Sequence, residues 1–400
     1  MRYIALIIIL FTILFITSCG GSGNDTVSDD IGNTDSTDSS YTVSGVKTLA
    51  VQYSTTIDSV TDDTASVVSG DIPVEDKGFI TMSASSSGDV IVAGAAHGMF
   101  YYSGDGGITW YTLEGIGVEE YWTGASVSAD GQDIAVSGSS FYVSHDSGNT
   151  WTVYPYGDGY DSDTRLAMSD DGRIIVKTGE SVSSNLDISD DYGKTWTQDI
   201  LVADGYDLVA FALSSDGSRI AALNNGKALN ISDDSGATWT ESESGVECWA
   251  DMDMSANGQV LALLDLGTGL EGYETIDENG DTTAAAKFDV NISYDGGETW
   301  QVITVEGIQN ATAISITDDG SRILVSGINT YDPLMLSEDH GATWEEINTL
   351  EKENPNWPQY THVFSNSGKR IVAMERSYSV WTSDDSGNTW IKRLEGNGAE

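Results

Sequence analysis

The sequence predicts an all-β protein, a seven-bladed β-propeller of four-stranded antiparallel blades. Two observations carry this reading. An eight-residue pattern, S-x-D-x-G-x-T-W, occurs seven times in the 400 residues. A Ser/Thr-x-x-Gly turn leading into an apolar run precedes every copy. Two turn signals per unit of roughly 43 residues, with β-rich stretches between, leave room for four short strands. We label these A to D from the inside of the ring outward.

The elements follow in chain order. Met1-Arg2-Tyr3 carries one positive charge and residues 4–16 are almost wholly apolar. A run this short suits a cleaved export signal better than a span of a ~30 Å bilayer. Ile16-Thr17-Ser18-Cys19 resembles the lipobox of bacterial lipoproteins, which implies a signal peptide over 1–18, a lipidated Cys19 and an exported lipoprotein of the outer membrane or cell surface. Residues 19–40, rich in Gly, Ser, Asn, Asp and Thr, read as a flexible tether. An N-terminal extension follows over 41–77, with one strand expected at 46–53 (VKTLAVQY) and no docking place derivable for it. With Cys19 lipidated, Cys248 is the one remaining thiol and no disulfide framework can form within the chain.

The propeller is expected over 78–400. The central aspartates of the seven motifs are Asp105, Asp146, Asp191, Asp234, Asp295, Asp339 and Asp385, spaced 41, 45, 43, 61, 44 and 46 residues apart. The upstream glycines are Gly88, Gly131, Gly172, Gly217, Gly258, Gly320 and Gly368. In the second unit the four strands fall near 125–127, 133–136, 141–144 and 150–153. The Asp carboxylate and Ser hydroxyl suit a turn whose backbone donors they accept, Gly permits a positive φ, and Trp covers the turn. These aspartates are therefore read as structural, with no catalytic residue assigned.

The eight-residue segments resemble the Asp-box, or bacterial neuraminidase repeat, of sialidases, xyloglucanases, sortilin-type receptors and the photosystem II assembly factor. The resemblance covers residues 78–392 and implies a propeller with the box at the C–D turn. In plan the chain is most similar to single seven-bladed rings. Sialidases need three converging arginines and an Arg-Ile-Pro segment, which this sequence lacks. Arg173, Arg219, Arg322 and Arg370 each follow an A–B glycine by one or two residues, which puts them on the box face. Sialidase activity is not expected, and the enzyme question is left open with a leaning toward none.

Composition narrows the partners. Lys and Arg number 17 against 63 Asp and Glu, a net charge of −46, so nothing is available to neutralise nucleic-acid phosphates. Membrane contact is expected through the lipid alone, and the chain is read as a monomer. Strand connectivity places A–B turns and boxes on one face and D–A and B–C loops on the other, the loop face, where binding is expected. Its candidate residues are Glu120, Tyr121, Trp122, Tyr160, Asp161, Tyr206, Asp207, Trp249, Asp251, Trp357, Tyr360 and His362. Flat aromatic rings beside carboxylates suit a glycan or an extended polypeptide; the same aromatics also fit as strand-A residues buried between blades. The fifth unit carries about 20 extra residues in its B–C loop, near 265–289. Within it Asp277–Asp281 has oxygen ligands but not the twelve-residue calcium loop. No cofactor is expected, with calcium the one ion left open. His97 and His362 are placed on loops of blades one and seven and are too few for a metal site.

The leading functional reading is a non-enzymatic envelope or cell-surface recognition or scaffold module. The alternative is a carbohydrate-active enzyme.

Overall fold

The computed structural model describes residues 40–44, 46–53, 67–69 and 79–395, apart from segments that include 157–163, 203–207, 243–248, 266–286 and 348–359. It is a seven-bladed propeller, and among the described residues there is no helix. The blades occupy 79–114, 124–155, 166–201, 208–242, 249–306, 311–347 and 360–395. Each is an antiparallel sheet in the order A–B–C–D. In blade 2 the strands are Gly124–Val127, Ile134–Ser137, Ser140–Ser144 and Thr150–Pro155, within three residues of expectation at every end.

The eight-residue turns are built alike in all seven blades. In blade 2 the Ser144 hydroxyl donates to Asp146 Oδ1 (2.9 Å) and accepts from Gly148 N–H (2.8 Å). The Thr150 N–H and hydroxyl donate to the two oxygens of Asp146, each at 2.7 Å. Trp151 Nε1 donates to Gly148 O at 3.1 Å, and the ring is fully buried. The fourth position of every turn has positive φ, taken up by Ser147, Tyr192, Ser235, His340 and Ser386 as well as two glycines. Its N–H donates to the residue after the A–B glycine of the same blade, as in Ser147 N–H to Gln132 O at 2.9 Å. The turn and the A–B hairpin therefore lie on one face and brace each other.

Neighbouring blades are joined on that turn face by two repeated devices. The first is a run of backbone bonds around the axis: Ser86 N–H to Ala129 O, Ala129 to Asp170, Asp170 to Ser215, Ser215 to Ala256 and Ala256 to Asp318, at 2.8–3.2 Å. The second is a close approach. The side chain two residues past each A–B glycine lies over the next blade's A–B glycine. A Cβ on Gly131 would meet Val90 at 2.4 Å, and one on Gly88 would meet Arg370 at 2.4 Å. Both glycines also have φ above +70°, so no other residue suits either constraint.

Residues 41–53 close the side of the ring. Strand β1 (Tyr41–Ser44) adds to strand D of blade 2, and β2 (Val46–Tyr53) adds to strand D of blade 1, both antiparallel. A third strand, β3 (Val67–Ser69), pairs with β2. The extra strand expected at 46–53 thus forms part of a strap across two blades. Blade 7 takes all four strands from residues 360–395, its outermost being Ile391–Glu395. The ring is sealed by a core shared between blades 1 and 7, where Phe79, Ile91 and Tyr101 meet Val372, Met374 and Leu394.

Blade 3 holds a buried ion pair between its strands B and C. Lys177 Nζ lies 2.8 Å from Asp187 Oδ2, with both side chains at most 4% exposed. The rings of Phe141, Tyr156 and Trp196 surround the ammonium at 5.3–6.0 Å. A buried ion pair of this kind tolerates loss of neither partner.

Candidate functional site

Strand A of blade 5, Trp249–Met254, reads W-A-D-M-D-M. Its two-residue period puts Met252 and Met254 toward blade 4, where they join the apolar cluster between blades 4 and 5. Asp251 and Asp253 point the other way, toward blade 6. Asp251 Oδ2 accepts the Ile314 N–H at 3.0 Å and Asp253 Oδ2 accepts the Ile316 N–H at 2.7 Å. Asp253 Oδ1 also accepts the N–H of Met254 at 2.8 Å. The two carboxylates satisfy donors of the innermost strand of blade 6, Ala311–Ile316, that its own sheet does not use.

Burial governs the charge of this pair. It pushes Asp251 up to about 6 and Asp253 up to about 7, against the pull of their backbone donors. The Arg165 guanidinium of blade 3 favours the Asp251 carboxylate across the axis. Further along, at the turn face, burial followed by the charges of Asp170 and Asp319 raises Asp318 to about 6. Asp253 senses both Asp251 and Asp318. The axis is therefore lined by a column of carboxyls that take up protons near neutral pH, with one arginine at its side. Such a column can hold protons or attract a cationic group. Among the described residues no group of three or more His, Cys, Asp or Glu has metal-ligand geometry.

Several expectations for the loop face are corrected. Trp122 is not an exposed ring. It is fully buried, its Nε1 donates to Gly98 O at 3.0 Å, and its ring packs at 5.1 Å from Phe100 and 5.7 Å from Tyr142. Glu120 and Tyr121 form a two-residue strand paired with Gly98 and Ala96 of blade 1, with Tyr121 part-buried. Asp251 faces blade 6 beside the axis rather than the rim. Trp249, Tyr360 and His362 lie in strands A of blades 5 and 7, paired with Asp265, Glu375 and Ala373. His97 is likewise in a strand, Ile91–Gly98, and not in a loop. Tyr160, Asp161, Tyr206, Asp207, Trp357, Cys19, Cys248 and the Asp277–Asp281 stretch lie outside the described residues. The strands flanking 266–286 close on the pair Asp265–Asp289, so that insertion leaves from the loop face.

Asp253 was not among the sequence candidates. The signal for it is the alternation Asp251-Met252-Asp253-Met254, which sends both carboxylates to one face. On the opposite side of the ring, three of the four arginines after the A–B glycines serve as ties. Arg219 donates to Gly296 O (2.5 Å), Arg322 to Gly368 O (3.0 Å) and Ser386 Oγ (2.8 Å), and Arg370 to Gly88 O (3.2 Å), each in the next blade.

Fold and axis together define a single-ring, seven-bladed β-propeller with carboxylates beside its axis. Solved structures of the same fold include "YCF48 bound to D1 peptide" (14% identity, TM-score 0.54, covering 76% of this chain and 92% of that one). YCF48 from Cyanidioschyzon merolae is similar at 11% identity and TM-score 0.54, over 78% of this chain and 97% of that one. The GH74 xyloglucanase from Xanthomonas campestris is similar at 15% identity and TM-score 0.57, over 81% of this chain but 55% of the enzyme. No protein-family model matches the chain, and no curated protein matches it by sequence.

Proposed function

We propose that the chain is a recognition or scaffold lipoprotein of the cell envelope, tethered through Cys19, that binds a glycan or an extended protein segment at its loop face. The observation that carries this reading is the contrast between the two faces. On the turn face the Ser, Asp, Thr and Trp of the motifs and three arginines are engaged in the ring itself. At the other face the described strands are joined by the longer stretches of chain, 21 residues between Asp265 and Lys287, and strand A of blade 5 brings Asp251 and Asp253 beside the axis. Rigid rings that present variable loops suit recognition. A propeller of similar plan, YCF48, is solved with a peptide bound, which favours a protein ligand over a glycan.

The alternative is a glycoside hydrolase. Its support is the pair of protonatable carboxyls Asp251 and Asp253 and the fold shared with a GH74 enzyme. Hydrolysis needs one carboxyl as acid and another as base or nucleophile across the bond. Both carboxyls here already accept backbone N–H groups from blade 6. Glycan and peptide arrays probed with the full chain test the reading. Saturable binding with the ligand recovered intact supports recognition. Release of reducing ends, abolished in Asp251→Asn or Asp253→Asn, overturns it in favour of the enzyme.

A further inference from the structure

The outer edges of the seven blades are not treated alike. An uncovered outer strand offers unpaired N–H and C=O groups to any passing chain, and proteins blunt such edges with short strands, bulges and charge. Four blades show these devices. Strand D is three residues in blade 4, Thr240–Ser242, and in blade 6, Glu345–Ile347, where two of the three are glutamate. The C–D pairing is interrupted by a bulge in blade 3 and again in blade 7, whose strand D carries Lys392 and Arg393.

Blades 1, 2 and 5 differ, each having a strand D of six residues: Thr109–Glu114, Thr150–Pro155 and Gln301–Glu306. The first two are covered by the chain's own strap, β2 on blade 1 and β1 on blade 2. The third is not. Strand D of blade 5 pairs with strand C in an unbroken register from Gln301 to Glu306, and among the described residues nothing pairs with its outer side. Its sequence, Q-V-I-T-V-E, is β-branched at four of six positions. Val302 is 62% exposed, one of only two large hydrophobic side chains exposed among the described residues.

We propose that strand Gln301–Glu306 of blade 5 is a docking edge that takes an extended, Lys- or Arg-bearing, acid-free strand of a partner protein by antiparallel main-chain pairing. The molecule supplies its own precedent. Residues 41–53 do this on blades 1 and 2, and that segment contains Lys47 and neither Asp nor Glu. Charge selects the occupant further. The chain carries −46 overall, and the paired strands at this edge carry Asp289 and Glu306 against the single Lys287 opposite Glu306. A second copy would bring the same negative charge to the edge, whereas a basic strand is attracted to it. Main-chain bonds then provide affinity and alternate side chains provide selectivity. The site is on the side of the ring, so its failure leaves the loop-face reading intact.

The test uses the full chain and a fluorescent peptide of residues 46–53, VKTLAVQY, read by anisotropy and hydrogen exchange. The peptide is expected to slow exchange of amides within 301–306. Val302→Lys is expected to weaken binding about tenfold or more by adding like charge to a surface position. Because Val302 is exposed, an unchanged melting temperature distinguishes lost docking from lost folding. A peptide N-methylated at alternate amides, unable to complete the ladder, is expected not to bind. The proposal is overturned by protection confined to Thr109–Glu114 (strap displacement), or by no protection at 301–306. Equal binding of a Lys47→Glu peptide, or self-association of the chain through 301–306, also overturns the assigned occupant.

Discussion

The carboxylate of Asp253 accepts the backbone N–H of Ile316 at 2.7 Å, joining the innermost strands of blades 5 and 6 beside the axis. Asp251 repeats the contact one pleat away, to Ile314. The two carboxyls thus stand at the axial edge of a boundary whose body is apolar, Val260, Ala262 and Leu264 of blade 5 meeting Ile314, Ile316 and Ile323 of blade 6.

This placement sets the pH dependence of stability. Asp251, Asp253 and Asp318 are raised to about 6, 7 and 6 by burial, so their ionised forms weaken folding. Stability is expected to rise as pH falls through 7 and 6 toward 4. Below 4 the trend reverses, because the motif aspartates are held low by their turns. Thr299's hydroxyl, then its N–H, brings Asp295 to about 2. Calorimetry should place the highest melting temperature between about pH 4 and 6, roughly 3–5 °C above that at pH 8. Asp253→Asn should flatten the upper limb, and a melting temperature that falls steadily from pH 8 to 5 would contradict the assignment.

Arg370 spans the seam where the chain's first and last blades meet, touching Asp384 in its own blade and Gly88 and Asp89 in blade 1. Arg370→Met is expected to cost about 1–3 kcal/mol in urea unfolding, with the loss shrinking as salt is added. The same change at Arg173, which is 41% exposed and among the described residues reaches Asp171 and Asp190 of its own blade, should cost less than about 0.5 kcal/mol.

For the buried pair in blade 3, removing one charge strands the other. Lys177→Met or Asp187→Leu alone is expected to cost about 3–5 kcal/mol, while the two together should cost far less than either. Chemical denaturation of the four proteins completes the cycle, and additive losses would show that the pair is not coupled.

The strap makes a regional prediction. Removing residues 1–53 uncovers strand D of blades 1 and 2. Amide exchange should rise about tenfold or more in Thr109–Glu114 and Thr150–Pro155 and stay unchanged in blade 5. Unchanged protection on blades 1 and 2 would place the strap elsewhere.

The ring was legible because its turns are local. Ser144, Asp146, Gly148, Thr150 and Trp151 satisfy one another within eight residues, so the pattern survives without knowledge of tertiary contacts. The blade count, strand order and the position of four arginines followed from it. The site was less legible because its residues depend on partners distant in sequence. Trp122 is buried by Gly98, Phe100 and Tyr142, and Asp253 finds its donor 63 residues away. The strap had a readable strand pattern but no readable address, since the outer strands of blades 1 and 2 have the same six-residue length as that of blade 5.

The most direct measurement compares binding of one array-selected ligand to four proteins: wild type, Trp357→Ala at a residue expected from the sequence at the loop face, Asp251→Asn beside the axis, and Arg173→Ala on the turn face. Recognition at the loop face predicts affinity lost about tenfold or more in Trp357→Ala, reduced in Asp251→Asn and unchanged in Arg173→Ala. Loss in Arg173→Ala with full binding by Trp357→Ala would contradict it.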